Sequence, residues 1–550
     1  MIKNTLNNHL NILCDFMGSV TDPGVSSSFD TVLNEFENMT GDIAKKNKLI
    51  QELKDEISKL KGEQGKPKVR PQKKDNHSSE EERNSKGKKK ARKKKKASKI
   101  KIDREVILRV NRENLPPDAK SKGYKNFTSQ NIQIVSDNVL FKREVFYSDS
   151  EKKTYTADLP AGYEGGYGPD VKALVISLYH DANMTEPALE RFFKAFGLDI
   201  SKATISRMLT DKNETFHQEK EDIIDAGLKA PYHQLDDTSG RVNGKNHFVH
   251  ILCNNFFTAF FTRPKKDRLT IIEILCRGEL KFILNTESKQ IMQRLGLSKK
   301  RIDQLQEFIS PEILGRSEID EIINRILPNP KKHNTIRCRI LEASGISYYH
   351  SLPHAIKHLM CDDAPQFNLI ATHHSLCWVH EGRHYKKLRP IVPLHQDVLK
   401  DFRGQYWDLY HEILDYSDNP SDEVKQSLEN KFDQLFETKT GYKKLDERII
   451  LTRNKKESML LPLSFPFLPA HNNESENGAK HQARMRDVHL QTKNQKGTDA
   501  KDTFATIVKT ARKLGVNVYD YIRDRVSKKF TMQSLTEIIL DKCSTTPNTS

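Results

Sequence analysis

Between Pro231 and Arg263 three apolar-rich segments follow one another with almost no chain between them: PYHQLDDTSGRV, NHFVHILCN and FFTAFFTR. Asn243-Gly244 joins the first two and Asn254-Asn255 the next. Asn-Gly readily takes the positive φ values of a two-residue hairpin, so the segments read as successive antiparallel strands. A helix is expected from Asp267 (DRLTIIEILC). Within the first strand Asp236 lies between apolar Leu235 and Asp237-Thr238. Neighbours on a strand face opposite ways, so Asp236 and Asp237 cannot serve one site. An acid inside a half-buried strand is unfavourable unless it is paired or bound to metal.

At 550 residues the chain is long enough for several units. Its net charge of +17 favours a polyanionic partner, of which nucleic acid is the commonest. No apolar run reaches the eighteen or so residues of a membrane span, and no membrane association is expected. The opening MIKNTLNNHLNILCDFMGSV lacks the basic and apolar regions of a signal peptide. Cys14, Cys253, Cys276, Cys338, Cys361, Cys377 and Cys543 are scattered and never spaced CxxC. That argues against a disulfide framework or a thiolate zinc knuckle and for a reduced, intracellular protein; with a DNA partner, a cytoplasmic, nucleoid-associated location is expected.

Seven regions follow. After an N-terminal segment (1–28), residues 29–62 repeat every seven positions: Phe29, Phe36, Ile43, Ile50 and Ile57, with Val32, Met39, Leu53 and Leu60 three places after most of them, Lys46 breaking one such position and Gly41 weakening the helix nearby. This is a coiled-coil seam and implies a homo-oligomer; the other reading is one amphipathic helix packed on its own domain. Residues 63–105 are dense in Lys and Arg, which suits a disordered linker, a phosphate-binding arm or a localisation signal. A small connecting region (106–164) leads to 165–225, which reads as a helix-turn-helix or an ordinary helical hairpin. Thr185 with Pro187 starts one helix, Gly197 ends it and Ser201 caps the next. Lys202, Thr204, Ser206 and Arg207 are what that second helix would offer to a DNA groove. The strand-rich unit spans 228–530, and 531–550 reads as a tail.

Three blocks carry a resemblance. LDDTSGRVNGKNHFVHILCNNFFTAFFT is similar to the catalytic-strand region of DDE transposases of the IS-sixty-six insertion-sequence type, with Asp236, Asp237 and Thr238 on the first motif. HLMCDDAPQFNLIATHHSLCWVHEGRHYKKL resembles the second block, in which an aspartate precedes a Cys-Trp-x-His-x-x-Arg signature; Cys377, Trp378, His380 and Arg383 match it. HNNESENGAKHQARMRDVHLQTKNQKGTDA resembles the third, with Asn472 and Asn473 matching and Glu476 on the glutamate. His471 and Asn477 depart from the commoner Asp and Arg, and no cysteine-based zinc module precedes the helix-turn-helix, as in a divergent branch.

The resemblance implies an α/β ribonuclease H-like core with helical insertions, preceded by the coiled coil and helix-turn-helix. Asp236, Asp362 and Glu476 would be the catalytic carboxylates holding two Mg²⁺ or Mn²⁺ ions, with Asp363 the rival of Asp362 and Glu474 close to Glu476. Hard oxygen ligands suit those cations, and paired ions suit in-line displacement at phosphorus. The partners implied are double-stranded terminal repeats and target DNA. The long intervals between the carboxylates predict helical insertions at about 285–330 and 395–440. Cys377 and His380 read as packing behind the site rather than zinc ligands, since no second pair accompanies them. Arg383 and His384 would contact phosphate; His373 and His374 read as structural. An inactive DNA-binding regulator and a structure-selective nuclease are the competing functions.

Overall fold

The computed structural model describes residues 12–13, 22–60, 102–111, 113, 115–132, 134–163 and 165–545. Most of the basic 63–105 stretch lies outside them. The centre is a five-stranded sheet of β1 (His233–Val242), β2 (Lys245–Cys253), β3 (Thr258–Arg263), β4 (His358–Cys361) and β5 (His373–Leu376). The spatial order is β3-β2-β1-β4-β5, antiparallel through β1, β2 and β3 and parallel from β1 to β4 to β5. Asn243 and Gly244 both take positive φ in the β1–β2 turn, as the sequence demanded. Asp267 caps the following helix, Arg268–Leu275, accepting from the Thr270 amide at 3.0 Å. The result is a mixed α/β protein with helical insertions.

The heptad stretch forms one helix, α1 (Pro23–Leu60). It begins earlier than expected because Asp22 accepts the amides of Gly24 and Val25 at 2.7 and 3.1 Å, with Pro23 in the first turn. Its first half is not a free seam. Leu33 packs with Val392, flanked by Phe36 and Leu394. Glu37, 4% exposed, accepts the Ile391 and Val392 amides. Asn34 donates to the Gly441 carbonyl and accepts from Lys443 N–H. The partner surface is remote in sequence, which is why periodicity alone pointed to self-association. Met39, Ile43, Ile50, Leu53 and Ile57 remain exposed.

The helix-turn-helix region comprises α2 (Pro169–His180), α3 (Glu186–Ala195), α4 (Lys202–Thr210) and α5 (Glu214–Gly227). Thr185 and Ser201 cap α3 and α4 through the Ala188 and Thr204 amides, and Gly197 turns at φ +79°. This region is not a separate unit. Leu189, Phe193, Ile205 and Leu209 share one core with Leu235, Leu252, Ala259 and Phe261 of the sheet. Before it, Val145–Ser148 and Lys153–Thr156 form a small exposed hairpin.

Both insertions are present. The first includes helices Thr286–Arg294, Arg316–Ile326 and Asn334–His350 with a two-stranded pair, Phe282–Ile283 and Ile313–Leu314. The second runs through α6 (Trp378–Lys386), α7 (Pro393–Tyr416) and helices Asp422–Glu437 and Lys443–Arg453. It has its own core around Trp378, Tyr406, Tyr410 and Phe432.

Two long helices, α8 (Asn473–His489) and α9 (Gln495–Leu514), cover the second face of the sheet, where Val249, Ile251, Cys253 and Phe260 pack with Ala505. α9 also closes the open edge of β3. The Thr258 and Phe260 amides donate to the hydroxyls of Thr510 and Thr506 at 3.2 Å each, and the Thr262 amide to Asp502 at 2.6 Å. Residues four apart share one helix face, so this trio reaches alternate positions of an edge strand that would otherwise pair with another chain. The expected tail is instead largely a helix, α10 (Leu535–Thr545), whose Leu535 and Ile539 are fully buried in the main core.

Candidate active site

Strand register brings the first two carboxylates together. Gln234 pairs with Met360 across the parallel β1–β4 contact, and two residues further along each chain stand Asp236 and Asp362. Equal offsets from that pair bring the two to the same end of neighbouring strands, near enough for the Asp362 charge to act on Asp236. Asp362 lies just past the end of β4 and accepts from the Ala364 amide at 3.1 Å. Its rival Asp363 is exposed and paired with Lys455 at 2.6 Å. Asp237 turns away from Asp236 and engages Gln366 at 2.8 Å and Lys266 at 3.6 Å.

The third carboxylate arrives on α8. On the antiparallel side Asp236 pairs with Ile251, and Gly478 lies against that side chain. A Cβ at Gly478 would come within 2.9 Å of Ile251 Cγ2. Gln234, on the same face as Asp236, accepts from the Ser475 amide at 3.1 Å and donates to the His471 carbonyl. These contacts set the first turn of α8 over the sheet, with Glu476 8% exposed. Glu474 faces elsewhere, to Lys513 at 2.9 Å.

The three carboxylates differ in electrostatic state. Burial, with the charges of Asp362, Asp237 and Glu476, pushes Asp236 up to about 7 against the hydrogen bond from the Asp237 amide. Burial also raises Asp362, helped by Asp237 and Asp363 and opposed by His380 and the Ala364 amide. Glu476 is buried too, yet Arg383, His380 and Lys480 outweigh that and hold it below the usual range. Arg383 Nη2 donates to both its oxygens at 2.8 and 3.0 Å. His380 Nε2 is 3.6 Å from Oε1, and Lys480 Nζ is 3.6 Å from Oε2.

Two expectations change here. His380 stands among the carboxylates rather than behind them, and burial together with Arg383 lowers its pKa. Arg383 is already engaged by Glu476 rather than open for phosphate alone. The rest of the signature is structural. Cys377 is buried and its amide donates to the Cys361 carbonyl, while Trp378, fully buried, donates Nε1–H to the Met459 carbonyl at 2.8 Å. Thr238 pairs with Val249 on β2. Asn472 is 1% exposed with its side chain against His380, and Asn473 opens α8. His374 contacts Cys361 Sγ, and His373 stacks on His358. His384 is half-buried, its pKa lowered by burial and Arg448.

Lys202, Thr204, Ser206 and Arg207 lie on α4, where Lys202 and Arg207 are exposed and Thr204 Oγ1 accepts from Arg207 at 3.3 Å. They do not join the carboxylate cluster. Sequence reasoning missed Gln234, Gly478 and Lys455, which also reaches Glu381 at 3.3 Å. Gln234 is detectable in principle, two places before Asp236 on the same strand face.

Among the described residues, no three His, Cys, Asp or Glu side chains converge as a ready-made ligand set for one ion. The donors nevertheless suit a hard divalent cation. Among the described residues Asp236 and Asp362 make no ion pair with a lysine or arginine, and buried Asn472 lies against His380, whose charge acts on Asp362. Also among the described residues, no helix is long and apolar enough to cross a membrane, and six cysteines are free.

No family model matches the chain. Over 316 residues, 55% of this chain and 94% of the relative, it is 27% identical to an uncharacterized protein of Sinorhizobium fredii, y4jO.

Proposed function

We propose that the protein is a DDE-type DNA transposase with Asp236, Asp362 and Glu476 as ligands of two divalent metal ions. The observation that carries this reading is that Asp236 on β1, Asp362 just past β4 and Glu476 in the first turn of α8 lie near enough for the charges of the other two to act on Asp236, with α8 seated over its strand face. Support comes from the mixed α/β sheet, opened by three antiparallel strands and a helix, and from the three blocks resembling IS-sixty-six-type transposases.

Bound Mg²⁺ or Mn²⁺ would activate the attacking oxygen and neutralise the leaving one in an in-line displacement at phosphorus. The chain's own residues prepare for this. Asp236 and Asp362 would hold the ion, and Asp236, pushed up to about 7 by burial and the neighbouring acids, would do so in its deprotonated form. Gln234 and Gly478 fix the height of Glu476 above the sheet, and Lys455 keeps Asp363 turned outward. No covalent protein–DNA link is required, so no Ser or Tyr nucleophile is needed. The exposed cations of α4 and the +17 net charge would supply salt-sensitive affinity for duplex DNA. A second copy of the chain would pair through the exposed heptad positions of α1.

The Glu476–Arg383 pair gives one specific foothold to the alternative, a DNA-binding regulator without cleavage. The deciding experiment incubates full-length protein with duplexes carrying the inverted repeats that flank the reading frame. Mg²⁺-dependent nicks leaving 3′-hydroxyl ends are expected for wild type and Glu474→Gln, and none for Asp236→Asn or Glu476→Gln. DNA binding without any nicking by the wild type would favour the regulator.

A further inference from the structure

Four carboxylates crowd the strand ends and α8 brings a fifth, but their partners are unequal. Asp237 has Lys266, Asp363 has Lys455, and Glu476 has Arg383 with His380 and Lys480 in reach. Among the described residues, the inner pair, Asp236 and Asp362, makes no ion pair. A carboxylate as enclosed as Glu476 needs a cation whenever no metal is present, because an unpaired buried charge is strongly destabilising.

Arg383 meets that need with only part of its fork. A single nitrogen, Nη2, serves both Glu476 oxygens, while Nε is buried and bonded to nothing. Guanidinium normally engages a planar anion through two parallel N–H groups, and phosphate fits that geometry as well as carboxylate does. The half-used fork therefore retains donor capacity next to the atoms where a phosphodiester would react.

We propose that Arg383 is the resident cation of Glu476, that a divalent ion enters there only by displacing it, and that the displaced guanidinium takes up a substrate phosphate. This rests on the reading of the three carboxylates as metal ligands. Metal uptake at Asp236 and Asp362 is then independent of DNA, whereas uptake at Glu476 is coupled to it. The coupling keeps the second ion out until a phosphate is present to hold the arginine.

The test titrates Mn²⁺ alone into the full-length protein and follows free Mn²⁺ by electron paramagnetic resonance. Wild type should bind one ion tightly and a second more weakly. Arg383→Gln should tighten the second site about tenfold, with Arg383→Lys in between. An arginine with a merely structural role would do the reverse, since its loss loosens the site. Adding a short duplex of element-end DNA should tighten the second site in wild type and not in Arg383→Gln. An unchanged or weakened second site in Arg383→Gln, or equal tightening by DNA in both proteins, overturns the proposal. Mn²⁺ binding that Asp236→Asn leaves intact overturns the carboxylate reading itself.

Discussion

Replacing Asp236 by asparagine should stabilise the protein without metal and remove the stabilisation that metal brings. Asparagine keeps the shape and still accepts the Asp237 amide proton, but it carries no charge into a site where burial and three other acids oppose one. Asp236 is pushed up to about 7 from an ordinary 3.8, so between those values the folded protein holds a proton that the unfolded chain has released. Stability conferred by that proton is complete below about pH 4 and is lost as pH rises through 7. Three pKa units correspond to about 4 kcal/mol. Asp236 is only half-buried, and solvent screening reduces this to about 2 kcal/mol. For a chain of this size that is a rise in melting temperature of about 2 °C at pH 8 in EDTA, vanishing near pH 4. Magnesium at a hundredfold excess over its dissociation constant adds about 2.7 kcal/mol to the wild type alone, so the order of the two proteins reverses. Differential scanning calorimetry at pH 4 and 8, with and without Mg²⁺, measures all of this. Equal melting at pH 8 in EDTA, or an equal magnesium response, would refute the reasoning.

Other perturbations address the scaffold. Gly478→Ala places a methyl 2.9 Å from Ile251 Cγ2 and should cost about 1–3 kcal/mol while lifting Glu476, so cleavage falls along with urea stability; full cleavage would show that the close approach is dispensable. Asp502→Ala orphans the Thr262 amide and hydroxyl on the β3 edge and should cost about 1–3 kcal/mol per group, read by urea denaturation; no loss would mean that α9 does not need this cap. Ile50→Glu with Ile57→Glu should lower the mass measured by light scattering and leave the melting temperature unchanged, because both side chains are exposed in the single chain. An unaltered mass counts against pairing through α1.

Local chemistry made much of the fold legible. The β1–β2–β3 meander follows from Asn243-Gly244 and the apolar runs, and the starts of α3 and α4 follow from Thr185, Pro187 and Ser201. What escaped is whatever depends on a distant partner. The heptads of α1 announce an apolar stripe but cannot say that Leu33 and Glu37 meet Val392, more than three hundred residues on. Leu535 and Ile539 look like a tail until α5 and α9 supply the surface that buries them. The candidate site divides the same way. Asp236 was visible as an acid in a strand, and Asp362 was preferred to Asp363 by resemblance alone; that Asp363 pairs with Lys455 while Asp362 lies toward Asp236 depends on contacts between segments on either side of an insertion. The partners of Glu476 needed the second insertion, which delivers Arg383 and His380.

The most direct measurement is an anomalous difference map from crystals grown with element-end DNA and saturating Mn²⁺. Two manganese peaks are expected, one at the Asp236 and Asp362 carboxylates and one at Glu476, with Arg383 turned onto a phosphate. Manganese absent from those carboxylates, while the Arg383–Glu476 pair persists beside the bound DNA, would contradict it.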